Sequence, residues 1–231
     1  GCRLVGRGYA QFAFWVMLLF GSIGGVSPGA PVPAWLPALS TVTAVFYFFG
    51  VVAACVCIKQ TISGASVEDN ADGTAYDLMR LAALIFISIS VLNVFFAFPG
   101  PGATAQFTTY GPAMDLLFNL GFVGLTLIAA LYHIFPRLAG MDFCPKMTGV
   151  QTMAIILGVF GMIPPVAFGG LMSGDATLGF SYYFASLGDL LLLVGSAILF
   201  LNFLGAILFS IKNCDCLAGI CCKGEKKETN A

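Results

Sequence analysis

The chain has 231 residues, of which 59% are hydrophobic and 9% charged, with a net charge of −1. Soluble domains carry about 25% charged residues, so this composition excludes an ordinary water-facing globule and makes lipid the expected solvent. The near-zero net charge gives no electrostatic reason to bind nucleic acid, and one histidine in the whole chain, His133, restricts metal and acid–base chemistry.

Six apolar segments follow in order, at about residues 9–27, 37–58, 80–98, 113–136, 149–172 and 186–211. Each approaches the roughly 20 residues that carry a helix across a bilayer. None alternates as a barrel strand would, and a helix satisfies its own backbone groups in lipid. The expected fold is an all-α, six-transmembrane-helix bundle over residues 1–211, followed by a Cys/Lys-rich tail at 212–231. No A-x-A-like site follows the first apolar run, so that run is expected to remain as a helix.

Charge divides the connections. Pro28, Pro31, Pro33 and Pro37 punctuate the first, Pro99-Gly100-Pro101-Gly102 opens the third, and Asp175 alone charges the fifth. Every basic residue falls on the opposite side of a six-span arrangement: Arg3 and Arg7, Lys59 and Arg80, Arg137 and Lys146, then Lys212, Lys223, Lys226 and Lys227. The positive-inside rule then places both termini on the cytoplasmic side of a bacterial inner membrane or an equivalent energy-transducing membrane. The acidic residues Glu68, Asp69, Asp72 and Asp77 lie in the longest inside connection. They read as a solvated loop, with docking to a basic partner as the alternative.

Several stretches carry a family resemblance. The fourth segment ends in Ala130-Leu131-Tyr132-His133-Ile134-Phe135-Pro136-Arg137-Leu138-Ala139-Gly140, and the fifth contains Ile163-Pro164-Pro165 followed by Gly169-Gly170-Leu171-Met172-Ser173-Gly174. The sixth opens on Ser186-Leu187-Gly188-Asp189, and Pro33-Ala34-Trp35 precedes the second. In this order and spacing they resemble the second half of a heme–copper oxidase core subunit (subunit I), over roughly residues 10–211. The closest likeness is to the cbb-type oxidases and the nitric oxide reductases. The resemblance implies two hemes and a copper held by six histidines. Counted back from Pro136, the positions where the family has a pair of histidines hold Met114 and Leu116, and no histidine stands near Val26–Pro28, where the copper pair would fall. Imidazole is the usual ligand for such groups. The resemblance therefore implies a degenerate relative that keeps the scaffold, with heme and copper expected only in a partner subunit.

The remaining polar residues are candidate sites. His133 reads as an interfacial hydrogen-bonding residue, with heme ligation as the alternative. Asp115 and Asn119, four residues apart on one helix face, read as hydrogen-bonding glue between helices or as part of a proton or ion path. Asn93, Asp189 and Asn202 are further intramembrane polar or packing positions, Asp189 alternatively at headgroup level. Pro164 and Pro165 remove two backbone donors and predict a kink. Cys214, Cys216, Cys221 and Cys222 in the tail are a candidate thiolate metal site, with palmitoylation or free thiols as alternatives. Cys55 and Cys57 read as small core residues.

No phosphate-binding loop, dinucleotide fingerprint or metalloprotease motif occurs. The expectation is a non-catalytic membrane subunit of a respiratory electron-transfer complex, structural beside a heme-bearing catalytic subunit. It binds no cofactor itself, and lipid or quinone between helices stays open. The alternative is a small transporter or channel using Asp115 and Asn119.

Overall fold

The computed structural model describes residues 6–22, 24–26, 31–33, 35–63, 70–139, 143, 145–171 and 175–212. Among them the backbone is helical, without strands: α1 (Arg7–Gly21), α2 (Trp35–Ser63), α3 (Asn70–Ala97), α4 (Pro99–Ala105), α5 (Tyr110–Leu116), α6 (Leu125–Ala139), α7 (Pro145–Leu171) and α8 (Asp175–Lys212). A π-helical stretch, Leu117–Gly124, joins α5 to α6, so the three form one rod. Five helical spans are long and apolar enough to cross a membrane: Trp35–Thr61, Gly73–Ala97, Tyr110–Arg137, Lys146–Leu171 and Phe180–Ile207. The chain is an all-helical protein built for the membrane.

The helix ends differ from the hydropathy reading for local reasons. The first helix stops at Gly21 instead of continuing to 27. Gly25 adopts a left-handed φ of 95°, a conformation glycine takes without steric cost, and this re-aims the chain so that the Val26 N–H donates to Ser40 Oγ (3.1 Å). The third helix begins ten residues before the expected position 80, at Asn70. Asp77 therefore lies on a helix rather than in a loop, exposed and 3.5 Å from Arg80; Glu68 and Asp69 lie outside the described residues. Nothing between Thr74 and Arg80 breaks a helix, and charged turns cost nothing once the helix has left lipid. The Pro99-Gly100-Pro101-Gly102 stretch forms the short α4, with Pro99 at its first position after an extended Phe98, where a missing N–H has no intrahelical partner to lose.

Contacts fix the direction of each rod. Along α1 and α2, Gly6 lies opposite Gln60, Gly50 opposite Val16 and Gly21 opposite Tyr47. Between α2 and α3, the Cys55 thiol donates to the Ala83 carbonyl (3.5 Å) and the Thr41 hydroxyl to the Ala97 carbonyl (2.7 Å). Between α3 and the α5–α6 rod, Phe86 stacks on Phe122 (4.1 Å) and Phe96 meets Tyr110 (4.0 Å). Thr109 and Tyr132 of that rod bond to Val166 and Gln151 of α7. Gly158 then meets Leu192, and Gly169 meets Ser181. In each pair one number rises as the other falls, so all consecutive rods are antiparallel.

This register gathers Arg7, Lys59, Arg80, Arg137 and Lys146 at one end of the bundle. The opposite end carries no basic residue among the described ones. Each rod packs mainly on its sequence neighbours, giving an open string of helices rather than a closed barrel of rods. The main core lies between α3, the α5–α6 rod and α7, around Leu78, Ile85, Leu125, Ile155, Val159 and Ile163. Of the five spans, that of α8 is the least buried.

Packing of α7 on α8 is the closest in the molecule. On α8, Ala185, Gly188, Leu192, Gly195, Leu199 and Asn202 form the stripe turned inward, spaced alternately three and four residues as in left-handed helix packing. A Cβ on Gly188 would stand 2.8 Å from the backbone of Gly161 and Met162, and one on Gly195 2.7 Å from Ile155 Cγ1. Small residues let the backbones meet, which in lipid is the main source of helix–helix attraction.

Candidate functional site

Two polar groupings interrupt the apolar spans. The first lies on the outside of the bundle, in the half away from the basic end. Asp115 and Asn119 are both exposed. In an α-to-π transition the i→i+4 ladder shifts and a carbonyl loses its regular partner. Here the Asn119 side-chain amide donates to the Asp115 carbonyl oxygen (2.9 Å), which leaves the Asp115 carboxylate without a partner among the described residues. Asn93 is exposed near the same end of α3, and Asp189 is exposed on α8.

The depth of Asp189 follows from its neighbour. Gly188 packs against Gly161, and Gly161 lies ten residues, about 15 Å, inside the Leu171 end of α7. Asp189 therefore sits near the middle of the bundle, not at headgroup level. A carboxylate on a lipid-facing surface at that depth costs roughly 2.5–3.5 kcal/mol on insertion scales. No hydrogen-bonding side chain among the described residues compensates it.

Pro164 and Pro165 are half-buried at the same level, and α7 stays helical through both. The missing donors leave the Phe160 and Gly161 carbonyls without their i+4 partners. One turn on, the Val166 carbonyl accepts from the Thr109 hydroxyl (2.8 Å), tying α7 to the start of α5.

The second grouping is internal and lies toward the basic end. The Tyr132 hydroxyl donates to Gln151 Oε1, and Thr148 and Asn202 also reach that hydroxyl. Asn202 Nδ2 donates to Thr148 Oγ1 (3.3 Å). Gln151 is 0% exposed, and its Nε2 has no partner among the described residues. The Phe143 ring stands edge-on to Tyr132 (5.0 Å), and Phe135 of α6 lies against Phe203 of α8 (4.5 Å). These groups weld α6, α7 and α8 at one point. Asn202 is the member singled out from the sequence as a site. Gln151, a lone amide in the apolar run of α7, was the signal that could have revealed the rest.

The chain matches no family model and no curated protein.

Met114 is buried with Ala105, Tyr110, Ala113 and Ala167, and Leu116 packs against the main core. His133 lies nineteen positions along the rod from Met114, about 28 Å. It is hydrogen-bonded to the Arg137 guanidinium, with Tyr76 alongside at 6.2 Å between ring centroids. Among the described residues, no three His, Cys, Asp or Glu side chains converge on a point. Cys55 and Cys57 are buried free thiols. Cys214, Cys216, Cys221 and Cys222 lie outside the described residues.

Proposed function

We propose that this chain is a non-catalytic integral membrane subunit of a respiratory electron-transfer complex, seated beside a heme-bearing catalytic subunit. The observation that carries this reading is the pair of carboxylates, Asp115 and Asp189, that turn outward within the apolar spans with no partner among the described residues. Side chains of this kind normally face a bundle interior or a partner. The open string of rods supports it too, since such an array leaves broad apolar faces for a neighbour. The respiratory assignment rests on the resemblance of residues 10–211 to half of an oxidase core. Met114 and Leu116, packed where that family has histidines, support a scaffold role.

The test is spectroscopic. The native complex, purified with its partners, is expected to show heme absorbance, and the isolated chain none. His133→Ala is expected to leave the spectrum of the complex unchanged. A heme band from the isolated chain overturns the reading.

The same proposal takes α1 as a sixth crossing, with both termini on the positive side. Helix α1 has 15 residues, yet together with Gly24-Gly25-Val26 it accompanies α2 from Gln60 to Ser40, about 30 Å. Single cysteines at Gly8 and Ser22, with the native cysteines replaced by serine, are expected to react with a membrane-impermeant maleimide from opposite sides. Labelling of both from one side means that α1 lies on the surface.

The transport reading keeps one observation in its favour: Asp115 stands at the start of a π-helical stretch, a feature common at functional sites. Proton or cation flux into liposomes carrying the purified chain, compared with Asp115→Asn, separates the readings. The subunit reading expects no flux from either.

A further inference from the structure

Helix α8 presents two exposed flanks beside its α7-facing stripe, and their chemistry differs. One residue N-terminal to that stripe run Phe180, Phe184, Leu187, Leu191 and Val194, all exposed, and then half-buried Ile198, all of them apolar. One residue C-terminal to it run Tyr182, Ser186, Asp189, Leu193, Ser196 and Phe200. A step of one residue is about 100° around a helix, so these are separate faces. The first is a surface that lipid satisfies. Both keep the alternating four-and-three spacing of left-handed helix packing, and the second is exposed along its length, Leu193 to 66%. At its centre is the mid-depth carboxylate of Asp189.

That second flank continues an existing helix seat. Its next position toward the basic end is Phe203, against which Phe135 of α6 packs. Beyond this point α6 and α8 make few contacts, and the flank runs on uncovered from Phe200 to Tyr182. The two serines add little polarity, because their hydroxyls bond their own helix, Ser186 to the Tyr183 carbonyl (2.8 Å) and Ser196 to the Leu192 carbonyl. They act as small residues that allow close approach.

We infer that the Tyr182–Ser186–Asp189–Leu193–Ser196–Phe200 face of α8 seats a transmembrane helix of a different chain, one that presents a Lys, Arg, Asn or Gln donor to Asp189. Charge complementarity selects this occupant over a second copy. Two copies related by an axis along the membrane normal would bring one Asp189 against the other. Lipid tails offer the carboxylate nothing. The inference rests on the subunit reading above and specifies where the neighbour sits and what it carries.

The experiment uses the full chain in its native membranes. Benzoylphenylalanine is placed singly at Ser186, Leu193 or Ser196, and as controls at Leu187 or Val194 on the lipid flank and at Leu84 and Leu127 on other rods. The first three are expected to give an adduct with one other chain. Sequencing of the adduct should place the attachment within one helical turn of a Lys, Arg, Asn or Gln in a transmembrane helix. Leu187 and Val194 should give lipid adducts. Asp189→Leu should reduce the Leu193 adduct at least tenfold, and Asp189→Asn should retain it better than Asp189→Leu. Adducts from Ser186, Leu193 and Ser196 with lipid alone, or with a second copy, overturn the inference. So does a partner helix without a donor. If Leu84 or Leu127 still reaches another chain, only the α8 assignment has failed. If no position does and the chain migrates alone in mild detergent, the subunit reading fails with it.

Discussion

Gly188→Leu is expected to yield no folded protein, and Gly188→Ala to cost about 2–3 kcal/mol, at the upper end of overpacking effects. The reason is what a new Cβ would meet. Its nearest neighbours are backbone atoms of Gly161 and Met162, which no rotamer change can move aside. Helix α7 would have to shift bodily away from α8, and α8 packs chiefly on α7. Gly161 faces the same contact from the other side, yet a Cβ there finds only Gly188, its Cα at 3.5 Å, an ordinary van der Waals distance. Gly161→Ala should therefore cost under about 1 kcal/mol. Gly205 has nothing within 4 Å, and Gly205→Ala should stabilise the helix by up to about 1 kcal/mol through backbone propensity. Unfolding midpoints in one detergent, read by size-exclusion fluorescence, rank the three. An equal response at Gly188 and Gly161 would mean that the α7–α8 register is wrong.

The rods were legible in the sequence because membrane helices announce themselves by run length and apolarity, neither of which needs tertiary information. The grouping of Arg7, Lys59, Arg80, Arg137 and Lys146 was legible for the same reason. Facing was not. In water an amphipathic stripe tells inside from outside, but in lipid the core and the surface are equally apolar. Leu192, against Gly158, and Leu193, two-thirds exposed, are indistinguishable as residues. The outward placement of Asp115 and Asp189 was illegible because it depends on register. The π-helical turn at Leu117–Gly124 leaves no mark in composition. The early end of α1 could have been read from Gly24-Gly25, where hydropathy through Val26 masked it. Gln151 was also legible, since an amide inside an apolar run needs partners.

Tyr132→Phe is expected to destabilise the bundle by about 2 kcal/mol, because it removes the hydrogen bond that holds Gln151 and leaves a wholly buried amide unsatisfied. Gln151→Met, of similar length and without a hydrogen-bonding amide, should cost less than about 1 kcal/mol, since the Tyr132 hydroxyl retains Thr148 and Asn202. The informative variant is the double. When Tyr132→Phe and Gln151→Met are combined, both side chains are apolar and neither leaves the other stranded. The double variant is therefore expected to be more stable than Tyr132→Phe alone by about 1 kcal/mol or more. Two magnitudes compete. Hydrogen bonds between membrane helices couple by about 0.6 kcal/mol on average, with a ceiling near 1.7, because the unfolded chain in lipid also finds partners. Gln151 should lie near that ceiling: it is fully enclosed, its Nε2 already lacks a partner among the described residues, and losing the Tyr132 hydroxyl takes the donor from its Oε1 as well. A coupling below about 0.3 kcal/mol in this cycle would place the cohesion of α6, α7 and α8 in apolar and backbone packing alone.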